Sequence, residues 1–213
     1  MAQNFGPKIP TNGLVLMWDA ADANSYPGSG TTIYDLSGNG NHGTLYNGVG
    51  FSTENGGVLT FDGTNDFVQC STPNLSSTDY TVIGAARYSG STRGRMINAT
   101  NNNWLLGHWG TTTQNYYAVG WVSSVAAGPS DTEWRIYAGT GRGTYSFYVN
   151  NVLNVSNTNG SEGPNGITVG KIGYDSSEYS TGQFSFVYVY NRVLTVAEMT
   201  QVYNAKKSRF GLT

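Results

Sequence analysis

The chain has 213 residues, 29 of them Gly, and a formal charge of -2 with only 11% of positions charged. That length suits one all-β domain of ordinary size, and the near-neutral balance excludes charged disordered tails and a dominant nucleic-acid footprint. No apolar run approaches the roughly 20 residues that a membrane helix needs. Met1 to Pro10 has neither the basic nor the apolar region of an export leader, so a soluble protein made without one is expected, with no nucleic acid and no membrane insertion. The lone cysteine, Cys70, excludes an intramolecular disulfide and any paired-cysteine metal or redox site, and reads as a small core or edge residue.

In chain order, Gly6-Pro7-Lys8-Ile9-Pro10 predicts an extended arm over residues 1–12, which either frays or lies along a neighbouring subunit. Residues 13–213 show no linker and no fixed-period repeat, and read as one domain. Leu14, Leu16 and Trp18 are placed on one strand face, with Val15 and Met17 opposite. Further strands are expected over 58–61, 67–70, 80–86, 104–107, 116–122 and 133–138. Gly139-Thr140-Gly141-Arg142-Gly143 lacks the Lys-Ser/Thr ending of a phosphate loop and reads as a hairpin turn. Tyr145, Phe147 and Val149 alternate with Ser146, Tyr148 and Asn150. Two Asn residues, Asn150 and Asn151, tolerate the positive φ of a tight hairpin into a strand over 152–155. Strands over 167–172 and 183–190 follow. The one helix begins late: Thr195-Val196-Ala197-Glu198 has capping-box form. Val196, Met199 and Tyr203 make an apolar stripe, and Lys206, Lys207 and Arg209 suit the negative end of the helix dipole. So many short strands with no helix between them predict an all-β sandwich of two sheets.

Three stretches together carry a resemblance. The first runs from Gly13-Leu14-Val15-Leu16 through Asp19-Ala20-Ala21 and Ser25-Tyr26-Pro27-Gly28-Ser29-Gly30 to Tyr34-Asp35-Leu36-Ser37-Gly38-Asn39-Gly40-Asn41-His42-Gly43-Thr44-Leu45. The second is Gly56-Gly57-Val58-Leu59-Thr60-Phe61-Asp62-Gly63-Thr64-Asn65-Asp66-Phe67-Val68. The third joins Phe147-Tyr148-Val149-Asn150-Asn151, Ile167-Thr168-Val169-Gly170 and Val187 through Met199. The chain thereby resembles the laminin-G-like, concanavalin-A-like lectin and glucanase superfamily everywhere except roughly residues 84–134. The resemblance implies a two-sheet antiparallel jelly roll, often with one structural calcium. The first stretch is also similar to lectin-like proteins of tailed bacteriophages. That implies a place on the virion surface, as a capsid decoration or a tail-fibre-associated domain, joined through the N-terminal arm to the major capsid or tail protein and open to homo-oligomerisation.

For calcium (Ca2+), Asp35-Leu36-Ser37-Gly38-Asn39-Gly40 matches the first half of a cation loop, but position twelve is Tyr46 where a bidentate Glu would be needed, so a helix-loop-helix hand is excluded. A cation held by Asp35, Asn39, Asn41, Asp62 and Asp66 remains one reading. Side-chain-to-backbone turns at the same residues are the other. Glycan hydrolysis needs two carboxyl groups flanking the scissile bond. The resemblance implies, for the glucanases of that superfamily, acids on one strand in an E-x-D-x-x-E pattern; no such stretch is present, and Asp131 with Glu133 is the nearest approach. His42 and His108 have no visible serine elbow or partner, so a nucleophilic triad is unsupported. Four N-x-S/T matches, at Asn74, Asn98, Asn154 and Asn159, are what chance supplies in such a composition.

Sugar binding asks for less: a flat aromatic face and a few fixed polar groups. The stretch least covered by the resemblance offers both. Trp109, Tyr117, His108 and Asn115 are the candidate glycan-binding residues, with Trp104 and Trp121 read as core residues on opposed strands. The expected function is that of a non-enzymatic, lectin-like virion surface protein able to bind glycans. Its rivals are a carbohydrate-binding module of a secreted bacterial enzyme or adhesin, and a glycanase using Asp131 and Glu133.

Overall fold

The computed structural model describes residues 9–213, so most of the expected arm over 1–12 lies outside the described residues. All strand pairings are antiparallel and form two sheets. The first has the order β13 (Val152–Asn157), β12 (Tyr145–Val149), β11 (Arg135–Gly141), β7 (Tyr80–Tyr88), β15 (Thr181–Tyr190), β5 (Val58–Asp62) and β4 (Gly50–Ser52), with β1 (Leu14–Asp19) also paired to β15. The long β15 serves both partners on one edge: Thr181 to Phe184 pair with β5, and Phe186 to Tyr190 pair with β1. The second sheet has the order β10 (Thr112–Ala118), β9 (Trp104–Trp109), β8 (Ile97–Asn98), β14 (Asn165–Val169), β6 (Phe67–Asn74), β3 (Gly43–Tyr46) and β2 (Thr32–Ile33). This is the all-β, two-sheet sandwich that the strand pattern predicts.

The period of two decides which residues meet between the sheets. In the second sheet Leu45, Val68, Val169, Ile97, Leu106 and Tyr116 are successive neighbours across six strands and all enter the core. Trp18, Tyr137, Phe147 and Phe184 meet them from the first sheet. The ring polar atoms of Trp104 and Tyr116 are paired: Trp104 Nε1 donates to the Tyr80 hydroxyl at 3.1 Å, and the Tyr116 hydroxyl donates to the Thr140 carbonyl at 3.0 Å.

A second apolar layer lies on the other face of the first sheet. Helix α1 (Val196–Lys206) starts at Thr195, whose hydroxyl accepts from the Glu198 amide while the Glu198 carboxylate accepts from the Thr195 amide, so the predicted capping box is present. Its buried residues are Met199, Val202 and Tyr203, packed with Ile83, Phe186 and Tyr188. Val196 is 59% exposed, so the expected stripe moves to Val202, because a residue in the first helical turn faces solvent ahead of the point where the helix meets the sheet. No described helix is long and apolar enough to cross a membrane.

Several strand readings change: β14 ends at Val169 instead of 172, and β11 runs on to Gly141, into the stretch read as a turn. A register shift between Leu14 and Leu16 puts Leu14 on the helix side while Leu16 and Trp18 enter the inter-sheet core, so these three residues do not share a face. The strand expected over 116–122 ends at Ala118, where Val119 adopts φ 50 and the chain turns back so that Trp121 bridges Tyr117. The expected hairpin is present, with Asn150 at φ 50 and Asn151 at φ 67.

Candidate functional site

The outward face of the seven-stranded sheet repeats the same register one residue along. Thr44, Gln69, Thr168, Asn98, Leu105 and Tyr117 are neighbours across β3, β6, β14, β8, β9 and β10, on the face opposite the core row. At the β8 to β10 end this face carries a trough of 440 Å³. Leu105 and Ile172 form its floor, and Trp109, Tyr117 and Trp121 form one wall. Trp121 meets Trp109 and Tyr117 edge-on, each at 5.1 Å between ring centres, so the three rings are held in one cluster.

The opposite wall is the loop that carries Tyr174, Asp175 and Glu178. It is fastened to the segment before β8 by Gly94 and Arg95. A Cβ on Gly94 would lie 1.9 Å from the Glu178 carbonyl oxygen, so only glycine lets the two segments touch. The Arg95 amide donates to that same carbonyl at 2.9 Å. The Arg95 guanidinium pairs with the Glu178 carboxylate and donates through Nη1 to Asn103 Oδ1 at 2.7 Å. Only 6% of that side chain is exposed, so the guanidinium is fixed by charge-assisted bonds before any ligand arrives. Past Trp109 and Glu178 the trough continues into a neighbouring hollow of 380 Å³ lined by Arg93 and Tyr179.

Of the four sequence-predicted glycan-binding residues, the structure brings Trp109 and Tyr117 to this trough and withdraws the other two. His108 is fully buried between Tyr88 and Tyr137, with edge contacts at 4.7 and 5.3 Å, and neither ring nitrogen has a hydrogen-bond partner. Burial drives its pKa down to about 3, so the ring is neutral. Asn115 is buried as well: its Nδ2 donates to Thr112 Oγ1 at 2.8 Å and its Oδ1 accepts from the Ala127 amide at 3.0 Å. Alternation puts His108 on the core side of Trp109, whereas Asn115, two residues from Tyr117 and on its face, is covered by the segment that carries Ala127. Trp104 is in the core as expected, whereas Trp121 is part of the aromatic wall. Arg95, Asn103, Tyr174 and Glu178 were missed by sequence reasoning. A run of aromatic and polar residues from Tyr174 to Tyr179, just after the strand around Val169, was the one available signal.

The five residues considered for calcium do not form one site. Asp35 Oδ1 accepts from the Met17 and Ser37 amides at 2.8 and 2.9 Å, and Oδ2 accepts from the Ser37 hydroxyl and the Asn41 amide at 2.7 and 3.0 Å. Asn39 and Asn41 donate to the Leu14 and Val15 carbonyls at 3.2 and 2.7 Å. This loop therefore ties itself to β1. Asp66 accepts from the Asp62 amide at 3.2 Å, and Asp62 accepts from the Thr64 amide at 2.7 Å, in a turn at the start of β6. Asn41 instead touches Thr72, near the far end of β6, so the two acidic groups are separated by about 16 Å of strand. Among the described residues no cluster of three or more His, Cys, Asp or Glu is arranged to hold a metal. The residues present do not fit a calcium ion.

Asp131 is gripped by both terminal nitrogens of Arg135 at 2.7 Å, which with the Glu133 amide holds its carboxyl below the usual range. Neither Asp131 nor Glu133 lines the trough or its continuation.

No family profile and no curated protein matches the chain. Solved structures do. The binding domain of Paraclostridial Mosquitocidal Protein 1 superposes with a TM-score of 0.67 at 15% identity, covering 92% of this chain and 52% of that one. A Trypanosoma rangeli sialidase in complex with sialic acid gives 0.68 at 12% identity, covering 94% of this chain and 34% of the sialidase. Domain 4 of AbnA, an extracellular arabinanase of Geobacillus stearothermophilus solved with arabinotriose, gives 0.64 at 16% identity, covering 91% and 98%. The chain thus spans about half of the toxin domain, a third of the sialidase and nearly all of the arabinanase domain. At these identities the likeness is one of fold, and it defines the class as a two-sheet antiparallel β-sandwich.

Proposed function

We propose that this protein is a non-enzymatic glycan-binding module whose ligand lies in the trough over Trp109, Tyr117 and Trp121. The observation that carries this reading is the pairing of a three-ring aromatic wall with a buried, pre-set guanidinium and amide on the facing side. Aromatic rings receive the apolar faces of a sugar, and fixed donors and acceptors read its hydroxyls. Arg95 is already neutralised by Glu178, so the group acts as a positioned donor rather than as an anion trap. The sialidase and the arabinanase domain, both solved with sugars, support the choice of ligand class by analogy of fold.

A glycan array on the intact protein, followed by tryptophan-fluorescence titration, tests it. Binding by the native chain and a loss of about tenfold or more in Trp109→Ala and Trp121→Ala is expected, about 1.4 kcal/mol for each decade. Retained binding in both variants would remove the trough from the reading, and no binding to any glycan would remove the function.

For where the module works, we propose display on a phage virion, as a capsid decoration or a fibre-associated domain attached through its N-terminal arm. The Ser25-to-Leu45 stretch supports it. Mass spectrometry of density-purified particles should find its peptides, and their absence would end this placement. The coverage of the arabinanase domain favours a second reading, a carbohydrate-binding module of a secreted enzyme or adhesin.

A further inference from the structure

The outward face of the seven-stranded sheet holds a second hollow at its other end, also of 440 Å³, among His42, Thr44, Tyr46, Gln69 and Asn101. We propose that this hollow is a second sugar subsite, and that the ligand of the face is an extended, neutral polysaccharide that reaches from one trough to the other. The inference rests on the sugar-binding reading and specifies its ligand.

Four observations build the subsite. Tyr46 is 41% exposed, and its ring is stacked on Phe67 at 4.5 Å between centres and 13° between planes, so one ring face is immobilised. His42 accepts a hydrogen bond at Nδ1 from the Asp35 amide at 2.9 Å, which leaves Nε2 as the protonated nitrogen of a neutral ring and hence a donor. The Thr44 hydroxyl makes no hydrogen bond among the described residues. Gln69 gives its Nε2 to the Gly173 carbonyl at 3.4 Å and keeps its oxygen for another donor. An aromatic ring beside a mixed set of neutral donors and acceptors is the same chemistry as the first trough.

Register joins the two ends. Thr44 and Gln69 belong to the outward row that ends in Leu105 and Tyr117 of the first trough. Five strand intervals separate Thr44 from Tyr117, about 24 Å, a span that several linked sugar rings cover and one ring does not. Between them lies the 171–178 loop, and its ridge is narrow: Gly173 touches Gln69 of the second hollow while the next residue, Tyr174, lines the first. Tyr174 is exposed, so a chain crossing the ridge passes over a third aromatic surface.

Charge selects a neutral chain. The second hollow has no Asp, Glu, Lys or Arg in its lining. In the first, Arg95 is paired with Glu178 and Asp175 lies beside Lys171, so its walls present no unpaired cation to a uronic or sialic acid.

Matched short and long neutral glycans test this on the full chain: arabinotriose with linear arabinan, xylotriose with xylan, and cellotriose with mixed-linkage β-glucan. Thr44→Arg places a bulky cation in the second hollow from an exposed position, and Tyr46→Ala removes the ring. Melting temperatures near that of the native chain establish that both fold. Linking two subsites multiplies affinity only for a ligand long enough to engage both. The expected result is a loss of about tenfold or more for the polymer that binds, with the matching trisaccharide changed by less than about twofold. Unchanged polymer affinity in both variants, with loss in Trp121→Ala, overturns the second subsite and leaves the first trough standing. Failure of the native chain to bind any of the six probes overturns the second subsite together with the neutral-glycan reading of the trough.

Discussion

The two outward faces of the sandwich have opposite fates. The eight-stranded sheet is roofed by the C-terminal segment, where Met199, Val202 and Tyr203 of α1 lie on Ile83, Phe186 and Tyr188, and Phe210 stacks on Trp134 at 4.7 Å. The roof is pinned by a buried carboxylate: Asp19 accepts from Lys206 Nζ, Arg209 Nη1 and the Tyr188 hydroxyl, all at 2.9 Å. The seven-stranded sheet is crossed at its middle by the 171–178 loop, under which Thr168, Asn98 and Leu105 are buried, and its two ends carry the hollows. Its outward row mixes Thr, Gln and Asn with Leu105 and Tyr117, which a packed helix would leave unsatisfied. One face is therefore roofed by packed apolar side chains, and the other keeps a hollow open at each end.

Removing the pin should give the largest effect. Asp19→Ala leaves Lys206 and Arg209 without their partner, and a loss of about 3 to 5 kcal/mol is expected in urea titration. Burial opposes ionisation of Asp19, yet Lys206 and Arg209 outweigh it and hold its carboxyl below the ordinary value of 3.8. That contribution is full above 3.8 and is lost as pH falls through the lowered folded value.

Next is His108, which lies between the two faces. It stays neutral in the folded state to about pH 3 but takes up a proton near 6.5 when unfolded, so the unfolded chain gains protons across that window and stability falls as pH drops below 6.5. A slope of up to about 1.4 kcal/mol per pH unit follows. His108→Phe keeps a ring between Tyr88 and Tyr137 and should flatten the fall in melting temperature between pH 6.5 and 4.5. An equally steep fall in the variant would assign the acid sensitivity elsewhere.

A smaller effect is expected from Met199→Ala under the roof, about 2 kcal/mol in chemical unfolding, with glycan binding unchanged. Smallest in stability is Trp121→Ala on the bare face, less than about 1 kcal/mol, although it should remove the binding. If Trp121→Ala proved as destabilising as Met199→Ala, the contrast between the two faces would fail.

Much of this was legible in the chain. Alternation located the long strands, Asn150-Asn151 located the hairpin, and Thr195 with Glu198 located the helix start. The strands at Thr32, Gly43, Gly50 and Ile97 were not found, since each has two to four residues and forms only because a neighbour supplies its hydrogen bonds. Half of the candidate sugar site was legible too. Trp109 and Tyr117 were named from their chemistry, but His108 is buried by the pleat and Asn115 by the Ala127 segment packed on it.

The class of fold could be read from the chain because periodicity, turn chemistry and capping are local and act within a few residues. The sequence also pointed to the aromatic stretch between Asn101 and Trp121, which supplies one wall of the first trough. Only the tertiary structure decided which rings face outward, that Arg95 and Glu178 meet across 83 residues, and that Asp35 and Asp66 are held apart. Those outcomes depend on sheet register, where a shift of one residue exchanges the core face for the open one.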